Sequence, residues 1–240
     1  NEQKGISMLQ KFMTEWLYIS DYDTPVSREF VGEANIHGVD LAKQYVAVVV
    51  KGETATMPEY NLAFDLDKYR RCYIMTDECV PSFTSALADS FSIGIGTAHF
   101  DISASVKEAL YINLLTDDIN RVLRYNKFAY LINIAKTQSA DKNIVAYFSR
   151  LDEEAQLTLW IYANNGAITE TAAQLHVHPK TVRYRLNKVM ATTGLDPKVG
   201  VDLVPLIVSY IQGKTQDYDI LVGELQSISD RMLPRDKQTH

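Results

Sequence analysis

Cysteine, long apolar runs and net positive charge are all lacking in this 240-residue sequence, and each shortage excludes a class of protein. The two cysteines, Cys72 and Cys79, are too few for a disulfide framework or a four-cysteine metal site. The longest apolar runs, at 45–50 and 203–211, fall short of the roughly 18 residues that a membrane span needs. The net charge of −6 argues against a protein that coats nucleic acid with its whole surface, but a local basic patch remains compatible with it.

The composition is otherwise that of a folded globular protein. Hydrophobic residues make up 46% of the chain and charged residues 22%, so we expect a sizeable core. The sequence contains no G-x-S-x-G, no phosphate-binding P-loop, no H-E-x-x-H and no C-x-x-C. We therefore expect no catalytic residues and no cofactor.

Residues 44–125 alternate between strand-like and helix-like patterns. The segment "QYVAVVVKG" at 44–52 is β-branched and ends at a glycine, which predicts a buried strand. The segment 70–83 predicts two short strands around a turn at Thr76–Glu78, with Pro81 ending the second strand. This order of elements predicts an α+β or α/β domain, in which helices pack on the faces of a sheet.

From Asp152 onward the pattern is wholly helical. The first helix runs to Gly166, and Thr169 is a suitable N-cap for the next one. His178 and Pro179 begin a third helix, because proline is well tolerated in a first turn. Three short helices with a tight turn between the second and the third describe a helix-turn-helix.

The third helix has an apolar side and a basic side. At 100° per residue, Val182, Leu186 and Val189 fall within about 60° of one another, which predicts a buried stripe. Over residues 177–198, five basic residues stand against one acidic residue. The candidate DNA-binding residues are His178, Lys180, Thr181, Arg183, Tyr184, Arg185 and Lys188.

These side chains are expected to divide between bases and phosphates. Arg183 and Arg185 flank the exposed face and are expected nearest the phosphates. The side chains expected nearest the base edges are Lys180, Thr181, Tyr184 and Lys188. An ordinary solvated basic helix, or a protein-interaction module that has lost DNA contact, is the alternative interpretation.

The histidines raise the question of a metal site. His176 and His178 stand one residue apart, but His37, His99 and His240 are scattered and no carboxylate stands nearby at a fixed spacing. We therefore expect no metal ligands. His176 instead takes the turn position that glycine often occupies, which histidine tolerates better than most residues.

The stretch "TETAAQLHVHPKTVRYRLNKVMATTGLD" (169–196), preceded by "LTLWIYANNGAI" (157–168), closely resembles the C-terminal helix-turn-helix of two families. They are the purine-catabolism regulators (PucR) and the carbohydrate-diacid regulators (CdaR), some members of which are named regulator of polyketide synthase expression. The resemblance implies a bacterial, cytoplasmic and nucleoid-associated transcription regulator that is not an enzyme. The implied partners are double-stranded operator DNA, a second copy of the chain in a homodimer or higher oligomer, and an unknown small-molecule effector sensed by an upstream domain, with no membrane.

A second resemblance concerns the sheet. The segment "FSIGIGTAHFDISASVKEALYINLL" (91–115) resembles the late strand and helix of the diguanylate cyclase fold, which implies a degenerate GGDEF-like (ferredoxin-like βαββαβ) domain before an all-α helix-turn-helix domain. The hairpin that holds Gly-Gly-Asp/Glu-Glu-Phe in a working cyclase is expected at Met75–Cys79, where both glycines are absent. Asp77 and Glu78 leave one alternative open, a nucleotide- or metal-binding sensor or enzyme.

These patterns together divide the chain into five parts. The predicted parts are an N-terminal helical segment (1–40), the degenerate GGDEF-like domain (41–138), a linker (139–151), the helix-turn-helix domain (152–212) and a polar, partly helical tail (213–240).

Overall fold

A computed structural model places the apolar run "VAVVVK" in strand β1, Val46–Lys51, at the centre of a five-stranded sheet. The first five residues of β1 are buried, as expected for a strand that is covered on both faces. The other strands are β2 Ala63–Asp65, β3 Arg70–Met75, β4 Ser92–Ile95 and β5 Val122–Arg124. Their order is β2-β3-β1-β4-β5, with β1 antiparallel to β3 and β4, and β4 parallel to β5.

The structure describes residues 7–22, 25–138 and 146–232. The contacts within the chain form two compact units. The sheet unit comprises Asn1–Asn126 and Asp217–His240, and the helical unit comprises Lys127–Gln216. The five-part division of the sequence stays a prediction, because clusters of contacts do not show which segments fold on their own.

Helices cover both faces of the sheet. They are α1 Met8–Tyr22, α2 Arg28–Ile36, α3 Val80–Leu87, α4 Ile102–Asn113 and α10 Tyr218–Met232. Ala47 and Val49 lie in a core cluster with residues of α1, α2 and α4, against which side chains of α10 also pack. Val48 and Val50 point to the opposite face, where they share a second cluster with residues of α3. The period of two along β1 therefore supplies both cores.

Helix α4 approaches β4 closely because β4 has a glycine at the contact. A Cβ atom on Gly94 would lie 2.4 Å from the carbonyl oxygen of Ala109 and 2.6 Å from the backbone nitrogen of Asn113. The Asn113 side chain uses this proximity, since its Nδ2 donates to the carbonyls of Val49 and Ser92, each at 3.1 Å. The amide thus joins α4 to two neighbouring strands.

The predicted hairpin at Met75–Cys79 is wrong. The chain leaves β3 at Met75 and enters a 3₁₀ turn at Asp77–Cys79, which continues into α3. The second strand predicted here is therefore a helix. Pro81 lies in the first turn of α3, where its missing N–H costs no hydrogen bond. The hairpin between β2 and β3 turns instead at 66–69.

The two cysteines lie in different environments. Cys72 is on β3, where it is fully buried. Cys79 is exposed in the 3₁₀ turn.

The helical unit is built from consecutive helices around one tryptophan. They are α5 Tyr125–Thr137 (whose first two residues belong to the sheet unit), α6 Glu153–Asn165, α7 Ile168–Gln174, α8 Pro179–Thr193 and α9 Gly200–Lys214. Trp160 of α6 is buried between Phe128 and Tyr210, with ring centroids 5.3 and 4.9 Å away. These stacked rings bury much apolar area where α5, α6 and α9 meet.

The predicted fold class is confirmed: a mixed five-stranded sheet with helices is followed along the chain by a helical region. Helix α9 also agrees with the wholly helical pattern that the sequence shows from Asp152 onward. Within the described residues, no helix combines the length and the apolar character needed to cross a membrane.

We predict that Gly94→Ala destabilises the sheet unit. The added methyl group meets the backbone of α4, and overpacking of this kind typically costs about 1–3 kcal/mol. Gly32→Ala is the matched control, because a Cβ atom at residue 32 meets nothing within 4 Å. Alanine is more favourable than glycine inside a helix by about 1 kcal/mol, so this change in α2 should not destabilise the protein. Urea denaturation of the full chain measures both changes. Equal midpoints for wild type and Gly94→Ala would show that α4 does not pack this tightly on β4.

Candidate nucleic-acid interface

Helix α6 begins and ends at residues that fix its length. The side chain of Asp152 accepts a hydrogen bond from the backbone N–H of Ala155 at 2.8 Å, as an N-cap does. Gly166 closes the helix in a left-handed conformation, with φ of 74°. Both ends agree with the prediction from the sequence.

Helix α7 begins earlier than predicted. Ala167, with an extended backbone, is the N-cap residue, and Ile168 is the first helical residue. Thr169 therefore lies inside the first turn, and its hydroxyl donates to Glu170 at 2.7 Å instead of capping the helix. The threonine that bonds back to the start of α7 is Thr171, whose hydroxyl donates to the carbonyl of Ala167 at 2.7 Å.

The turn after α7 is closed by two backbone hydrogen bonds. The N–H of His176 donates to the carbonyl of Ala173 at 3.2 Å, and the N–H of Val177 donates to the carbonyl of Ala172 at 3.0 Å. This pair of bonds is a Schellman motif, which requires a left-handed residue at position 176. His176 has a φ of 53°, which confirms its predicted role as the turn residue. Val177 then packs against the buried Ala172.

Helix α8 begins at His178 and Pro179, as predicted. The Nδ1 atom of His178 accepts a hydrogen bond from the backbone N–H of Lys180 at 3.1 Å. Pro179 occupies the first turn, and Gly194 ends the helix with φ of 78°. The 15 residues of α8 are thus fixed at both ends by local chemistry.

The buried stripe of α8 is also confirmed. Val182, Leu186 and Val189 are each no more than 1% exposed. Two of them share a core cluster with Ala172 of α7, against which Tyr162 of α6 and Ile168 also pack. Because this stripe faces α6 and α7, the opposite side of α8 lies outward.

The outward side of α8 carries several of the predicted DNA-binding residues. Lys180, Arg183 and Tyr184 are exposed, the tyrosine to 69%, and Thr181 is half-buried beside them. The side chains of Lys180 and Arg183 have neither a hydrogen bond nor an ion pair among the described residues. They remain available to an anionic partner.

Two predicted DNA-binding residues lie instead at the edge that faces α6. The guanidinium of Arg185 is 2.5 Å from the carboxylate of Glu154 and also donates to the hydroxyl of Thr158 at 3.4 Å. Lys188 is paired with Asp152. The Arg185 side chain is only 16% exposed, whereas that of Lys188 is 40% exposed. The expectation that Lys188 lies nearest the base edges and Arg185 nearest the phosphates did not include these pairs.

The Lys188–Asp152 pair changes the pKa of both groups. The hydrogen bond from Lys188 lowers the pKa of Asp152, and the N-cap bond from Ala155 lowers it further. The same hydrogen bond raises the pKa of Lys188. Both residues are therefore charged at neutral pH.

Asn187 is a further surface residue of α8, which the pattern of basic residues does not single out. It is exposed, and its side chain has no hydrogen-bond partner among the described residues. It stands three residues after Tyr184 and seven after Lys180, so the three form one ridge along the helix. This spacing from Lys180 and Tyr184 is the pattern in the sequence that could have identified Asn187.

The residues suspected of metal binding are not brought together. His176 forms the turn after α7, and His178 is the N-cap of α8. Asp77 and Glu78 lie in the 3₁₀ turn before α3. Across residues 7–22, 25–138 and 146–232, no three histidine, cysteine or acidic side chains are grouped so that they could hold a metal ion.

We predict that the Lys188–Asp152 pair stabilises the protein at neutral pH and is lost in acid. Because the folded pKa of Asp152 lies below its ordinary value of 3.8, its contribution is present above that value and disappears as the pH falls through the folded pKa. Thermal unfolding of wild type and Asp152→Asn measures this, since asparagine retains the N-cap. The wild-type melting temperature should exceed that of the variant at pH 7, and the difference should shrink below pH 3.8.

Asp118→Asn is the control for this prediction, because Asp118 is exposed and its carboxylate has no partner among the described residues. Its melting temperature should follow that of wild type at each pH. A constant gap between wild type and Asp152→Asn across the acid range would contradict the account of the pair.

Comparison with known proteins identifies a domain family that matches this part of the chain. Residues 157–210 match the family model described as the PucR C-terminal helix-turn-helix domain. Comparison with curated proteins finds no match. Among solved structures, the chain is similar to the crystal structure of a regulator of polyketide synthase expression from Bifidobacterium adolescentis, with 18% identity and a TM-score of 0.38. That similarity covers 86% of this chain and 98% of the other.

The matched range contains the whole turn at His176 and the whole of α8. The helix-turn-helix predicted from the sequence is thereby confirmed, both in its geometry and in its family. Residues 157–210 of the chain are thus similar to the PucR C-terminal helix-turn-helix domain, a similarity that supports a DNA-binding transcription regulator.

Proposed function

We propose that this protein regulates transcription as a homodimer that binds operator DNA through the outward side of α8. The carrying observation is that Lys180 and Arg183, which form no ion pair with any described residue, are held outward by the buried stripe of the same helix. In the proposed complex α8 lies in the major groove, with Lys180, Thr181 and Tyr184 toward the base edges. Arg183 then lies at the flank, where the phosphates run.

The start of α8 supports a phosphate contact as well. Because Nδ1 of His178 accepts the hydrogen bond from Lys180, the neutral ring carries its proton on Nε2. His178 is exposed, so this N–H is available to a phosphate oxygen. The positive end of the helix dipole lies at the same place and favours an anion there.

We assign Arg185 and Lys188 a different part in the same interface. Their pairs with Glu154 and Asp152 link α8 to α6 and add to the buried stripe, which sets which residues face outward. Lys188 is the more exposed of the two and adds positive charge at the edge of the DNA-binding surface. Arg185 is mostly covered, so its role is to position the helix.

Dimerisation follows from the small reach of one helix. The 15 residues of α8 span about 22 Å, and a single recognition helix contacts only a few base pairs. A symmetric dimer reads two half-sites about 34–36 Å apart, which gives the length of sequence that specific binding requires. We propose that the sheet unit provides contacts between copies or transmits a signal, and that an effector acts through an upstream domain. Such a regulator works in the cytoplasm, at the nucleoid.

The alternative functions gain no support from the described residues. A nucleotide- or metal-binding sensor or enzyme would use Asp77 and Glu78, which have no third metal-binding side chain grouped with them among the residues described. A protein-interaction module without DNA contact does not account for Lys180 and Arg183, two cations on one face that have no partner within the described part of the chain. We propose that the chain acts by binding DNA and has no catalytic activity.

We predict that Arg183→Ala weakens binding to duplex DNA of any sequence. Loss of one phosphate contact should flatten the plot of log affinity against log salt concentration by about 0.9. Fluorescence anisotropy with a labelled duplex, titrated at several salt concentrations, measures both the affinity and the slope.

Arg28→Ala is the matched control, since Arg28 is an exposed arginine of the sheet unit. It should leave the affinity and the slope at their wild-type values. The proposal fails if wild-type protein shows no salt-dependent binding to duplex DNA, or if the two arginine variants lose affinity equally.

A further inference from the structure

The ridge formed by Lys180, Tyr184 and Asn187 has a fixed spacing that bears on sequence recognition. Tyr184 comes four residues after Lys180, and Asn187 comes three residues after Tyr184. Residues with these spacings lie on one line along the helix. The line is opposite the buried residues Val182 and Leu186. It is therefore the part of the helix that goes deepest into a groove when α8 docks with its stripe facing its own domain.

Asn187 has the chemistry to recognise one base. Its Nδ2 donates and its Oδ1 accepts, which is the pattern that adenine matches with N7 and N6 in the major groove. The side chain is exposed and makes no hydrogen bond among the described residues, so both groups are available. Neighbouring Lys188 is a weaker candidate for reading a base, because its ammonium is paired with Asp152.

The distance from Asn187 to Lys180 sets the spacing of the bases that they contact. Seven residues of α-helix rise about 10.5 Å, and base pairs of DNA stack every 3.4 Å. A recognition helix lies at an angle to the DNA axis, so this rise corresponds to about two to three base pairs. A lysine at the N-terminal end of the ridge favours guanine, through its O6 and N7 acceptors.

From this geometry we propose that Asn187 is a specificity-determining residue that reads an adenine in each half-site. The adenine lies about two to three base pairs from a guanine that Lys180 contacts. The proposal rests on the proposed function, since it requires α8 to enter the major groove. It goes further by naming a base, the residue that selects it and its distance from a second base.

Selection of bound duplexes from a randomised pool, followed by sequencing, tests the proposal with the full chain. Wild-type protein should enrich half-sites that contain a guanine and an adenine at the stated spacing. Asn187→Ala should lose the preference for that adenine by about 5- to 150-fold while it retains the guanine and the salt slope. Lys180→Ala should do the reverse. Asn35→Ala, which removes an exposed asparagine from α2, should select the wild-type site.

The possible outcomes distinguish a failure of the Asn187 assignment from a failure of the proposed function. If Asn187→Ala binds specifically and selects the same adenine as wild type, the assignment of Asn187 is wrong and the proposed function stands. If wild type enriches no sequence at all, both fail. Enrichment of a site without adenine at that spacing also overturns the assignment.

Discussion

The orientation of α8 depends on the burial of three aliphatic side chains along one of its sides. Val182, Leu186 and Val189 are almost completely removed from solvent, and full burial of each such side chain contributes about 1.5–3 kcal/mol. Rotating α8 about its axis would expose this stripe and bury the exposed cations Lys180 and Arg183. The hydrophobic contact therefore determines which cations face outward, and the proposed DNA-binding surface depends on it.

Local chemistry made most of the helix boundaries in this domain predictable, but it was misinterpreted at Thr169 and, in the sheet unit, at Pro81. At Pro179, a preceding histidine that caps the helix identified the proline as a helix start, and the structure agrees. At Pro81, the short apolar stretch around the proline suggested a strand end, yet this proline also lies in a helical first turn. The N-cap residue of α3, Cys79, makes no side-chain hydrogen bond to the start of that helix. No capping residue comparable to His178 therefore marked this helix start in the sequence. The prediction for Thr169 failed similarly, because the extended backbone at Ala167 supplies the N-cap.

The ion pairs at the edge of α8 could not be predicted from the sequence of that helix. Glu154 and Asp152 lie 31 and 36 residues before their partners Arg185 and Lys188, so the pairs form only once α6 and α8 have packed together. A helical wheel contains no information about a neighbouring helix. It therefore gave no sign that Lys188 is paired across to α6, and it gave no reason to single out Asn187.

The most direct test of the account is to map where duplex DNA touches the intact protein. Isotope-labelled full chain, titrated with a duplex at low salt, reports contact residue by residue through changes in backbone amide chemical shifts. The account predicts that the largest changes fall along α8, at Lys180, Thr181 and Tyr184, while buried Val48 of the sheet is unaffected. Changes confined to the sheet unit, or no change in α8 with DNA in excess, would contradict the claim that α8 carries the DNA-binding surface.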